Sequence, residues 1–590
     1  MFRREWFRTV VVLCVFAVLF LALAVTSFVR MSATFDEPDH LTSGYFSLKA
    51  KDYRVDPEHP PFLRMWAALP LLMQRNIKFP EQTIDRTDSL EWVTGTEKYA
   101  LIDSFVYEIN DADRMLYAAR FMIVLLGVLL GFLIFFWARD WLGFWPAVIA
   151  LACFTCEPNL LAHSSLVTTD FGVTCFIFGA VYFLWRVTRL LSVANLIGLL
   201  TFSGLAAVSK FSALILAPIF LLLLAIRAFR KTPWQCKIGK LTEIPTIPGR
   251  IAASAALLLL IAFASCAAIW TVYGFRYMPS SSPIWRFAIE DNSTVRERAP
   301  MLAGVVHWVD AKHLLPNAYS EGLLLEQTKT VGRMSFLDGD MKQNGWWYYF
   351  PYAFLIKTPI TLILLFAGGL ILCAVKWKTF LANTIFVLAP LCIYAAVAIS
   401  SDINIGLRHI LPIYPFVVLL AALCAAKLLQ SKRGIVIVVA GALCLFWIFE
   451  FARAYPHDLA FFNSFVGGPA DGYKYLADSN VDWGQDLKGL KRWMDSHDVK
   501  QINLVYFGTA DPAYYGIQYT RLPGGTVHPR MQNPLAMPQL PGYVAISTTV
   551  LDGVYLTREG RAFYAPLADR EPAATIGHSI NIYWVGDRWW

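Results

Sequence analysis

The stretch TVVVLCVFAVLFLALAVTSFV, residues 9–29, is followed a few positions later by TFDEPDH, residues 34–40. The first part is long and apolar enough to cross a bilayer as a helix. Carboxylates are costly near the hydrocarbon, so an Asp-Glu pair fixed to the outer end of a first membrane helix indicates a task. We therefore expect an active site at the membrane surface, with Asp36 and Glu37 as its catalytic candidates.

Composition sets the class of protein. The chain has 590 residues, of which 57% are hydrophobic and only 16% are charged, whereas a soluble protein carries about 25% charged residues. The sequence therefore predicts a multi-pass membrane protein. Its net charge of +8 is modest, and the basic residues do not alternate with aromatic residues as a strand-binding groove requires. Nucleic acid is thus not an expected partner.

Eleven apolar segments are candidate membrane spans, and the basic residues of the short loops orient them. Arg8, Arg139 and Arg186 fall on one side, which the positive-inside rule makes the cytoplasm. We expect an inner-membrane protein with a cytoplasmic N-terminus and an extracytoplasmic C-terminus. A signal peptide is the alternative interpretation of the first segment. The predicted spans are residues 9–29, 115–137, 144–163, 166–186, 194–209, 211–229, 251–275, 354–375, 381–400, 410–428 and 434–452.

Two domains are expected. Residues 1–452 form the membrane domain, with large outer loops at 30–114 and 276–353, and residues 453–590 form a soluble domain outside the membrane. The apolar run at 62–73 is too short to span and is expected to lie on the membrane. In the soluble domain a helix pattern near 484–497 precedes strand patterns at 502–507, 543–548 and 580–585, which together predict a small α/β domain.

Three cations lie at outer helix starts: Lys210, Lys357 and Arg408. A cation at a helix N-terminus is opposed by the helix dipole, so an anionic ligand such as a phosphate explains them better than packing does. Asp170 begins a membrane helix nearby and is either a helix cap or a substrate-binding residue.

The segment Glu58-His59-Pro60-Pro61 is the second polar cluster of the first outer loop. Its prolines impose an extended entry into the next helix, so the cluster is in one interpretation only a turn. Glu and His are also ligands that a divalent metal accepts. We retain His59 as a substrate-binding candidate and Glu58 as a metal ligand.

Outer acids and outer cations above a membrane cavity are the chemistry of glycosyl transfer from a lipid-linked sugar phosphate. The acid activates an acceptor hydroxyl, and the cations, with or without a metal ion, neutralise the leaving phosphate. Two alternatives remain open. A secondary transporter would show internal repeats and polar breaks near the bilayer midplane, and a non-catalytic membrane scaffold would leave the acid–cation group unexplained.

The layout of residues 1–450 resembles the GT-C superfamily of membrane glycosyltransferases. It is similar, more narrowly, to bacterial relatives of protein O-mannosyltransferases and of the lipid A aminoarabinose transferase. The motifs that carry the resemblance are Asp36-Glu37, Glu58-His59-Pro60-Pro61, Thr168-Thr169-Asp170 and Ser209-Lys210.

The resemblance implies a GT-C-like bundle of about eleven transmembrane helices and a polyprenyl-phosphate sugar donor whose sugar carbon is inverted. It implies Asp36 as the base or acceptor-orienting residue, with Glu37 beside it, and Lys210 as a donor-phosphate ligand. Glu58 would bind a divalent metal ion, with His313 or His307 of the second outer loop as its partner. The acceptor is a lipid, a glycan or a protein, although no β-trefoil insert of protein O-mannosyltransferases is visible.

The tail carries a further motif, DSNVDWGQDL at residues 478–487, which is similar to a subset of phospholipid-carrier-dependent glycosyltransferases. Asp478, Asn480 and Asp482 resemble the start of a calcium loop, but the glycine and the last acidic ligand are out of place. We expect the motif to pack the soluble domain onto the membrane domain. Trp483 would serve that packing or act as a platform for an acceptor sugar.

Overall fold

The computed structural model of the chain describes residues 2–80, 92, 95–283, 285–329, 333–431, 433–525 and 536–589. The apolar segment that opens the sequence is one helix, Phe2–Phe28, with no proline or glycine to interrupt it. A second helix, Glu37–Lys49, begins at the acidic pair. Pro38 lies in its first turn, where a missing N–H costs nothing. The acidic motif is therefore the junction between two helices.

The membrane-length helices confirm a mainly helical, multi-pass membrane protein, but not the count of eleven spans. Among the described residues eight helices are long and apolar enough to cross a membrane, and a ninth span results if one bent pair is counted as a unit. The eight are Glu5–Phe28, Ala112–Leu142, Thr169–Arg189, Phe211–Phe229, Ile247–Val272, Ala382–Ile399, Leu407–Leu429 and Gly434–Ala454.

Breaks inside apolar sequence explain the difference. Phe144–Thr155 has 12 residues and Val193–Ala207 has 15, and both fall short of the roughly 20 that a span needs. The bent pair is Tyr349–Lys357 and Ile360–Val375, whose axes differ by 118°. Proline lacks an N–H and disfavours a helical residue before it, so the helix breaks at Pro359. Hydropathy alone does not reveal such breaks, because the flanking residues are apolar as well.

Two helices occupy the centre of the bundle, and others lie at its periphery. Thr169–Arg189 and Leu407–Leu429 are almost entirely surrounded by protein, whereas Ile247–Val272 and Gly434–Ala454 are largely exposed, as expected for helices that face lipid. Asp170 and Arg408 lie at the starts of the two central helices. The architecture therefore brings these two charged residues together in the middle of the molecule.

The loops contain shorter elements. The predicted interfacial helix exists as Phe62–Ala68, continued by the 3-10 turn Leu69–Met73. The other short α-helices before the tail are Thr96–Asp103, Pro158–His163, Ser293–Arg298, Pro300–Ala311 and Asn317–Lys329. Ser104–Glu108 is a π-helical turn, and Phe211–Ile215 and Ile289–Asp291 are 3-10 turns. One small sheet consists of Leu191–Ser192, Trp234–Ile238 and Leu241–Ile244, and a second consists of Met334–Leu337 and Asp340–Gln343.

The C-terminal part is a small α/β unit, as predicted. A five-stranded sheet has the strand order Tyr519–Arg521, Ile502–Val505, Gly542–Ser547, Ile580–Val585, Ala574–Ile576. Ile502–Val505 runs parallel to both of its neighbours, and the remaining pairs are antiparallel. The three central strands and the helix Leu487–Ser496 match the predicted segments, while the two short edge strands were not predicted. The other helices of this part are Thr548–Leu551 and Arg558–Ala568.

The tail motif docks on the loop that follows the first helix. The amide of Ser32 donates to the carbonyl of Gln485 at 2.8 Å, and the amide of Phe35 donates to the carbonyl of Trp483 at 2.9 Å. The Ser32 hydroxyl donates to the carbonyl of Gly484 at 3.0 Å. These bonds hold the acidic motif against the C-terminal unit. The division at residues 452 and 453 stays a prediction.

A close backbone approach in the second outer loop yields a stability test. A Cβ at Gly322 would lie 2.0 Å from the carbonyl oxygen of Pro57, whereas a Cβ at Gly304 would meet nothing within 4 Å. We expect Gly322→Ala to lower the free energy of unfolding by about 1–3 kcal/mol, because the helix Asn317–Lys329 must move away from Pro57. Thermal unfolding of the detergent-purified protein measures this change.

Gly304→Ala is the matched control, because both glycines lie in helices of the same loop. It should leave the unfolding temperature unchanged or raise it slightly, since alanine favours a helix by about 1 kcal/mol over glycine. Equal stability of the two variants would contradict the close packing of the helix on Pro57.

Candidate active site

A cavity of about 420 Å³ lies between the first outer loop, the start of the central helix Leu407–Leu429 and the C-terminal unit. Five of the nine residues predicted for the site line it, and these are Asp36, Glu58, His59, Lys210 and Arg408. The other charged and imidazole side chains that line it are Asp39, His40, Asp56, Glu326, Lys329, Arg333, His409 and Asp478.

A second cavity of about 380 Å³ adjoins the first. The two share His59, Lys210, Glu326, Ile403 and His409. Most other residues of the second cavity are apolar side chains, and they belong to the segments 211–218, 323–350 and 394–403. The polar cavity thus continues into an apolar one at Lys210.

Asp36 faces the cavity through an ion pair. Its Oδ2 lies 2.9 Å from Nη1 of Arg408, and its side chain retains 28% exposure. The backbone around it is fixed, because Phe35 donates to Trp483 and Glu37 donates to the carbonyl of Thr34. Asp36 is therefore held in place and still open to a ligand.

Glu37 points the opposite way. Its carboxylate is fully buried and accepts from Arg120 Nε at 2.9 Å and Nη2 at 2.5 Å. The amides of Thr34 and Val167 donate to it at 2.8 and 2.9 Å. Four donors thus occupy Glu37, which does not line the cavity. The adjacent acids of the predicted catalytic pair differ completely in surroundings.

Asp170 links the two cations of the site. Its Oδ1 lies 2.6 Å from Lys210 Nζ and its Oδ2 lies 3.3 Å from Arg408 Nη1. Asp170 makes no cap bond, and the residue at the cap position of its helix is Thr168, which makes no side-chain cap bond either. Asp170 is buried behind the cations, so it orients them rather than lining the cavity itself.

Lys357 is not brought to the cavity. Its ammonium group donates to the carbonyl of Leu459 at 3.0 Å and to the carbonyl of Asn480, and it lies over the ring of Phe462. Asn480 in turn accepts from the amide of Leu407 through its side chain at 2.9 Å. Lys357 thus fastens the tail motif to the membrane helices, and its predicted role toward a phosphate has no support from its position.

Three further acids of the cavity, Asp39, Asp56 and Glu58, form ion pairs with cations. Asp39 Oδ2 lies 2.6 Å from the fully buried Lys98. Burial raises the pKa of Asp39 to about 6, although Lys98 opposes the shift. Burial likewise raises the pKa of Glu326 to about 7, with Glu58 adding to it. Protonation of these acids therefore changes the charge of the cavity near neutral pH.

Two further pairs involve the Glu58-His59 cluster and its surroundings. Asp56 is paired with Arg64; burial alone would raise the pKa of Asp56, but Arg64 and Lys98 outweigh it and hold that pKa well below its usual range. Glu58 is paired with Lys329. Burial and Lys210 lower the pKa of His59, so its imidazole is neutral and is available as a hydrogen-bonding group.

The side chains predicted to bind a metal ion, Glu58 with His313 or His307, each have another partner. Glu58 contacts Lys329, and Lys98 lies 4.0 Å from the same carboxylate oxygen. His313 stacks on the ring of Tyr277 with centroids 3.8 Å apart and does not line the cavity. His307 lies 3.3 Å from Glu290 instead. Each predicted ligand thus contacts another residue, and a divalent ion bound by Glu58 stays a prediction.

Among the described residues, one group of three carboxylates lies close enough together to hold an ion: Glu290, Asp310 and Glu321, all buried in the second outer loop. The amides of Ile289 and Glu290 donate to Glu321 at 2.9 and 3.2 Å. Burial, and then Glu290, raise the pKa of Glu321 to about 8. At neutral pH a proton thus lowers the negative charge of this group.

The sequence analysis did not identify the cations that pair with the acids of the site. Lys98, Arg120 and Arg64 carry no motif, and their importance comes from the acids they meet in the fold. Asp478 and Tyr555 of the C-terminal unit line the cavity, although only the tail motif hinted at that unit's role. Arg120 was detectable in principle, because an arginine inside a predicted span is rare.

One protein-family model matches part of this chain. Residues 100–244 match the family model of the dolichyl-phosphate-mannose-protein mannosyltransferases. The matched segment contains Asp170 and Lys210 but neither Asp36 nor Arg408. The resemblance to protein O-mannosyltransferases is thereby confirmed over this segment. No curated protein matches the chain in sequence.

Several solved structures are similar to this chain over part or all of its length. ArnT from Cupriavidus metallidurans bound to undecaprenyl phosphate is 11% identical, with 96% of this chain and 97% of that chain covered and a TM-score of 0.44. Archaeal oligosaccharyltransferase AglB from Archaeoglobus fulgidus is 13% identical, with 100% and 75% covered and a TM-score of 0.43. The Pmt1-Pmt2 complex of S. cerevisiae is 19% identical, with 45% and 32% covered and a TM-score of 0.29.

The buried Glu37–Arg120 pair yields the second prediction. Arg120→Met leaves the Glu37 carboxylate without a counter-charge, so we expect a loss of about 3–5 kcal/mol in the free energy of unfolding. The double variant Arg120→Met/Glu37→Gln should recover part of that loss, because no buried charge remains. Thermal unfolding compares the two, with the exposed Arg114→Met in the same helix as control. A double variant less stable than Arg120→Met would contradict the ion-pair assignment.

The stability of the folded chain should depend on pH through the protonation of Glu321. The folded chain holds a proton on Glu321 with a pKa of about 8, against 4.5 for the ordinary group. The free energy of unfolding should therefore fall as pH rises from about 4.5 to about 8, by up to about 1.4 kcal/mol per pH unit. Glu321→Gln mimics the protonated group and should flatten this decline.

Unfolding temperatures measured between pH 5 and 8.5 test this expectation. Glu297→Gln, an exposed acid in the same loop, should keep the wild-type pH dependence. If Glu321→Gln declined as steeply as the wild type, the proton would not lie on Glu321.

Proposed function

We propose that this protein transfers a sugar from a polyprenyl-phosphate donor to an acceptor hydroxyl, with inversion at the sugar carbon. One observation carries the proposal. Asp36, open to the cavity, shares Arg408 with Asp170, which also holds Lys210 at the mouth of an apolar cavity. A carboxylate open to the cavity, two cations and an apolar space thus adjoin one another, which supports the proposal.

The donor side is supported by the second cavity. Its apolar walls suit a polyprenyl chain, and Lys210, His59 and His409 lie where the two cavities meet. A phosphate at this junction would lie against Lys210, with Arg408 next to it. The match to a family that uses dolichyl-phosphate mannose supports a lipid-phosphate donor of this kind.

The reaction follows from this placement. Asp36 takes the proton of the acceptor hydroxyl, and the hydroxyl oxygen forms a bond to the anomeric carbon. The bond between that carbon and the phosphate oxygen breaks on the opposite face, and the electron pair leaves with the phosphate. Lys210 and Arg408 stabilise the negative charge that develops there, and Asp170 keeps both cations oriented before the donor arrives.

The positive-inside distribution supports a cytoplasmic N-terminus and a site on the outer face of the inner membrane. The acceptor is a lipid, a glycan or a protein, and the other partners are membrane lipids. Glu37 has a different role from Asp36 in this proposal: it fixes the backbone that presents Asp36, through Arg120 and the amides of Thr34 and Val167.

The fourth prediction tests the base. With radiolabelled polyprenyl-phosphate mannose, glucose and aminoarabinose as donors, purified wild-type protein should release label to acceptors. Asp36→Asn should lower that rate by about 10²- to 10⁴-fold, the usual effect of losing a general base, while the unfolding temperature stays close to wild type. Asp113→Asn is the control, because Asp113 pairs with Lys488 outside the cavity and should transfer normally.

The same assay distinguishes the alternatives. Sugar uptake into vesicles that lack any lipid carrier would favour a transporter, and folded wild-type protein that cleaves no donor would favour a scaffold.

Chelation with EDTA tests whether the reaction needs a divalent ion. Transfer that survives chelation shows that the protein's cations suffice, and transfer lost on chelation and restored by Mg²⁺ or Mn²⁺ assigns an ion to the reaction.

A further inference from the structure

The polar cavity has two ends of different composition. At one end Lys210 and His409 are shared with the apolar cavity, whose lining residues all lie between His59 and His409 in sequence. Another part of the wall comes from the C-terminal unit, through Asp478, Trp483, Phe507 and Tyr555 among others, and none of these four lines the apolar cavity. If the donor phosphate lies at Lys210, as proposed above, the end formed by the C-terminal unit is the one that remains for the acceptor.

Three aromatic rings lie next to one another in this part of the wall. The ring centroids of Phe35 and Phe507 are 5.3 Å apart. Phe507 stacks on Tyr555 at 5.4 Å with the planes only 10° apart. Phe507 is buried, whereas Tyr555 is 43% exposed. One face of Tyr555 is thus covered and supported, and the ring remains open toward the cavity that it lines.

Polar groups flank the exposed ring. The Tyr555 hydroxyl donates to Asp478, and the Arg333 guanidinium interacts with the same two groups. Asp478 is a non-glycine residue in the left-handed region, with φ of 58°. A strained backbone is retained only where the surroundings fix it, and such positions concentrate at functional sites. The ring therefore has charged hydrogen-bonding groups at its edge.

This combination fits a carbohydrate. A sugar ring presents C–H groups on its faces, which pack on an aromatic ring, and hydroxyls at its edge, which bond to carboxylates and guanidinium groups. A lipid tail would leave the charges of Asp478, Arg333 and Asp36 desolvated and unpaired with the ligand. The composition of this end thus favours a glycan over a lipid acceptor.

The backbone ties this platform to the base. Thr509 donates through its hydroxyl to the carbonyl of Phe35 at 2.6 Å, and Phe35 donates to Trp483 at 2.9 Å. Trp483 lies under the guanidinium of Arg408, 4.3 Å from its ring centroid. Phe35 precedes Asp36 directly, so the aromatic wall and the base belong to one hydrogen-bonded unit.

We propose that the C-terminal unit forms the acceptor subsite, in which Tyr555, backed by Phe507 and flanked by Asp478 and Arg333, stacks on a sugar ring of a carbohydrate acceptor. The inference rests on the proposed function, since it assumes the donor at Lys210. It makes Tyr555 a residue that binds the acceptor and takes no part in binding the donor.

The test separates acceptor from donor. Wild type, Tyr555→Leu and Tyr555→Phe are compared with methyl glycosides of glucose, mannose and N-acetylglucosamine, with their β-1,4 disaccharides, and with a Ser/Thr peptide as the competing acceptor class. Tyr555→Leu should raise the KM for the carbohydrate acceptor roughly 3- to 10-fold, the value of one aromatic contact. The KM for the donor should stay within about twofold of the wild-type value, while Tyr555→Phe keeps the ring and stays closer to wild type.

The second measurement is carbohydrate binding to a variant that is expected not to catalyse transfer. The Asp36→Asn protein should bind the carbohydrate by isothermal calorimetry, and the Tyr555→Leu/Asp36→Asn double variant should bind it more weakly by a similar factor. Trp584→Leu removes an exposed aromatic ring of the same unit that does not line the cavity, and it should change neither value.

The outcomes distinguish the two proposals. Asp36-dependent transfer to the peptide alone, an unchanged acceptor KM in Tyr555→Leu, or a raised donor KM instead would overturn the acceptor subsite and leave the proposed function standing. Wild-type protein that cleaves no donor but binds the carbohydrate in a Tyr555-dependent manner would overturn the transferase function and retain a carbohydrate site. Absence of both would overturn both proposals.

Discussion

The buried pair of Glu37 and Arg120 is the contact on which the site depends. Arg120 donates to the carboxylate of Glu37 and also to the carbonyls of Phe28 and Ser32, at 2.9 and 2.8 Å. Glu37 accepts in addition from the amide of Val167. The end of the first helix, the acidic motif, the helix Ala112–Leu142 and the turn before Thr169–Arg189 thus meet at one fully desolvated ion pair. Such a pair adds little net stability, but it tolerates very few alternative arrangements, because any shift leaves a buried charge unpaired.

Most carboxylates that line the cavity beside this pair form an ion pair with a cation. Asp36 and Asp170 share Arg408, Asp170 also holds Lys210, and Asp39, Asp56 and Glu58 each have a cation of their own. Protein carboxylates orient the cations before a ligand arrives, so the proposed transfer would need little reorganisation as negative charge develops on the phosphate.

The C-terminal unit is part of the site rather than an appendage. Backbone carbonyls of its tail motif accept hydrogen bonds from the loop that carries Asp36. Trp483 of this motif packs against the guanidinium of Arg408, and the carbonyl of Asn480 accepts a hydrogen bond from the ammonium group of Lys357. Lys357 therefore acts in the fold as a clamp between the membrane helices and the tail. A change in the docking of this unit would therefore affect both Asp36 and Arg408.

Local sequence patterns are enough to predict the class of the protein, the positions of its helices and several of its site residues. Apolar run length and charge placement are local properties, so they predicted a multi-pass helical protein, helices at all eleven positions and a small α/β tail. They also singled out Asp36, Lys210 and Arg408, which the fold brings into one cavity. They overestimated the number of full spans, because helix breaks within apolar sequence leave hydropathy unchanged.

The different surroundings of adjacent or similar residues follow from the folded chain and not from local sequence. Asp36 and Glu37 are neighbours, yet one meets Arg408, 372 positions away, and the other meets Arg120, 83 positions away. Lys210 and Lys357 look alike in sequence, yet one joins Asp170 and the other holds backbone carbonyls. A side chain's role at such a site depends on which partners can compensate its charge after burial, and those partners come from segments that only folding brings together.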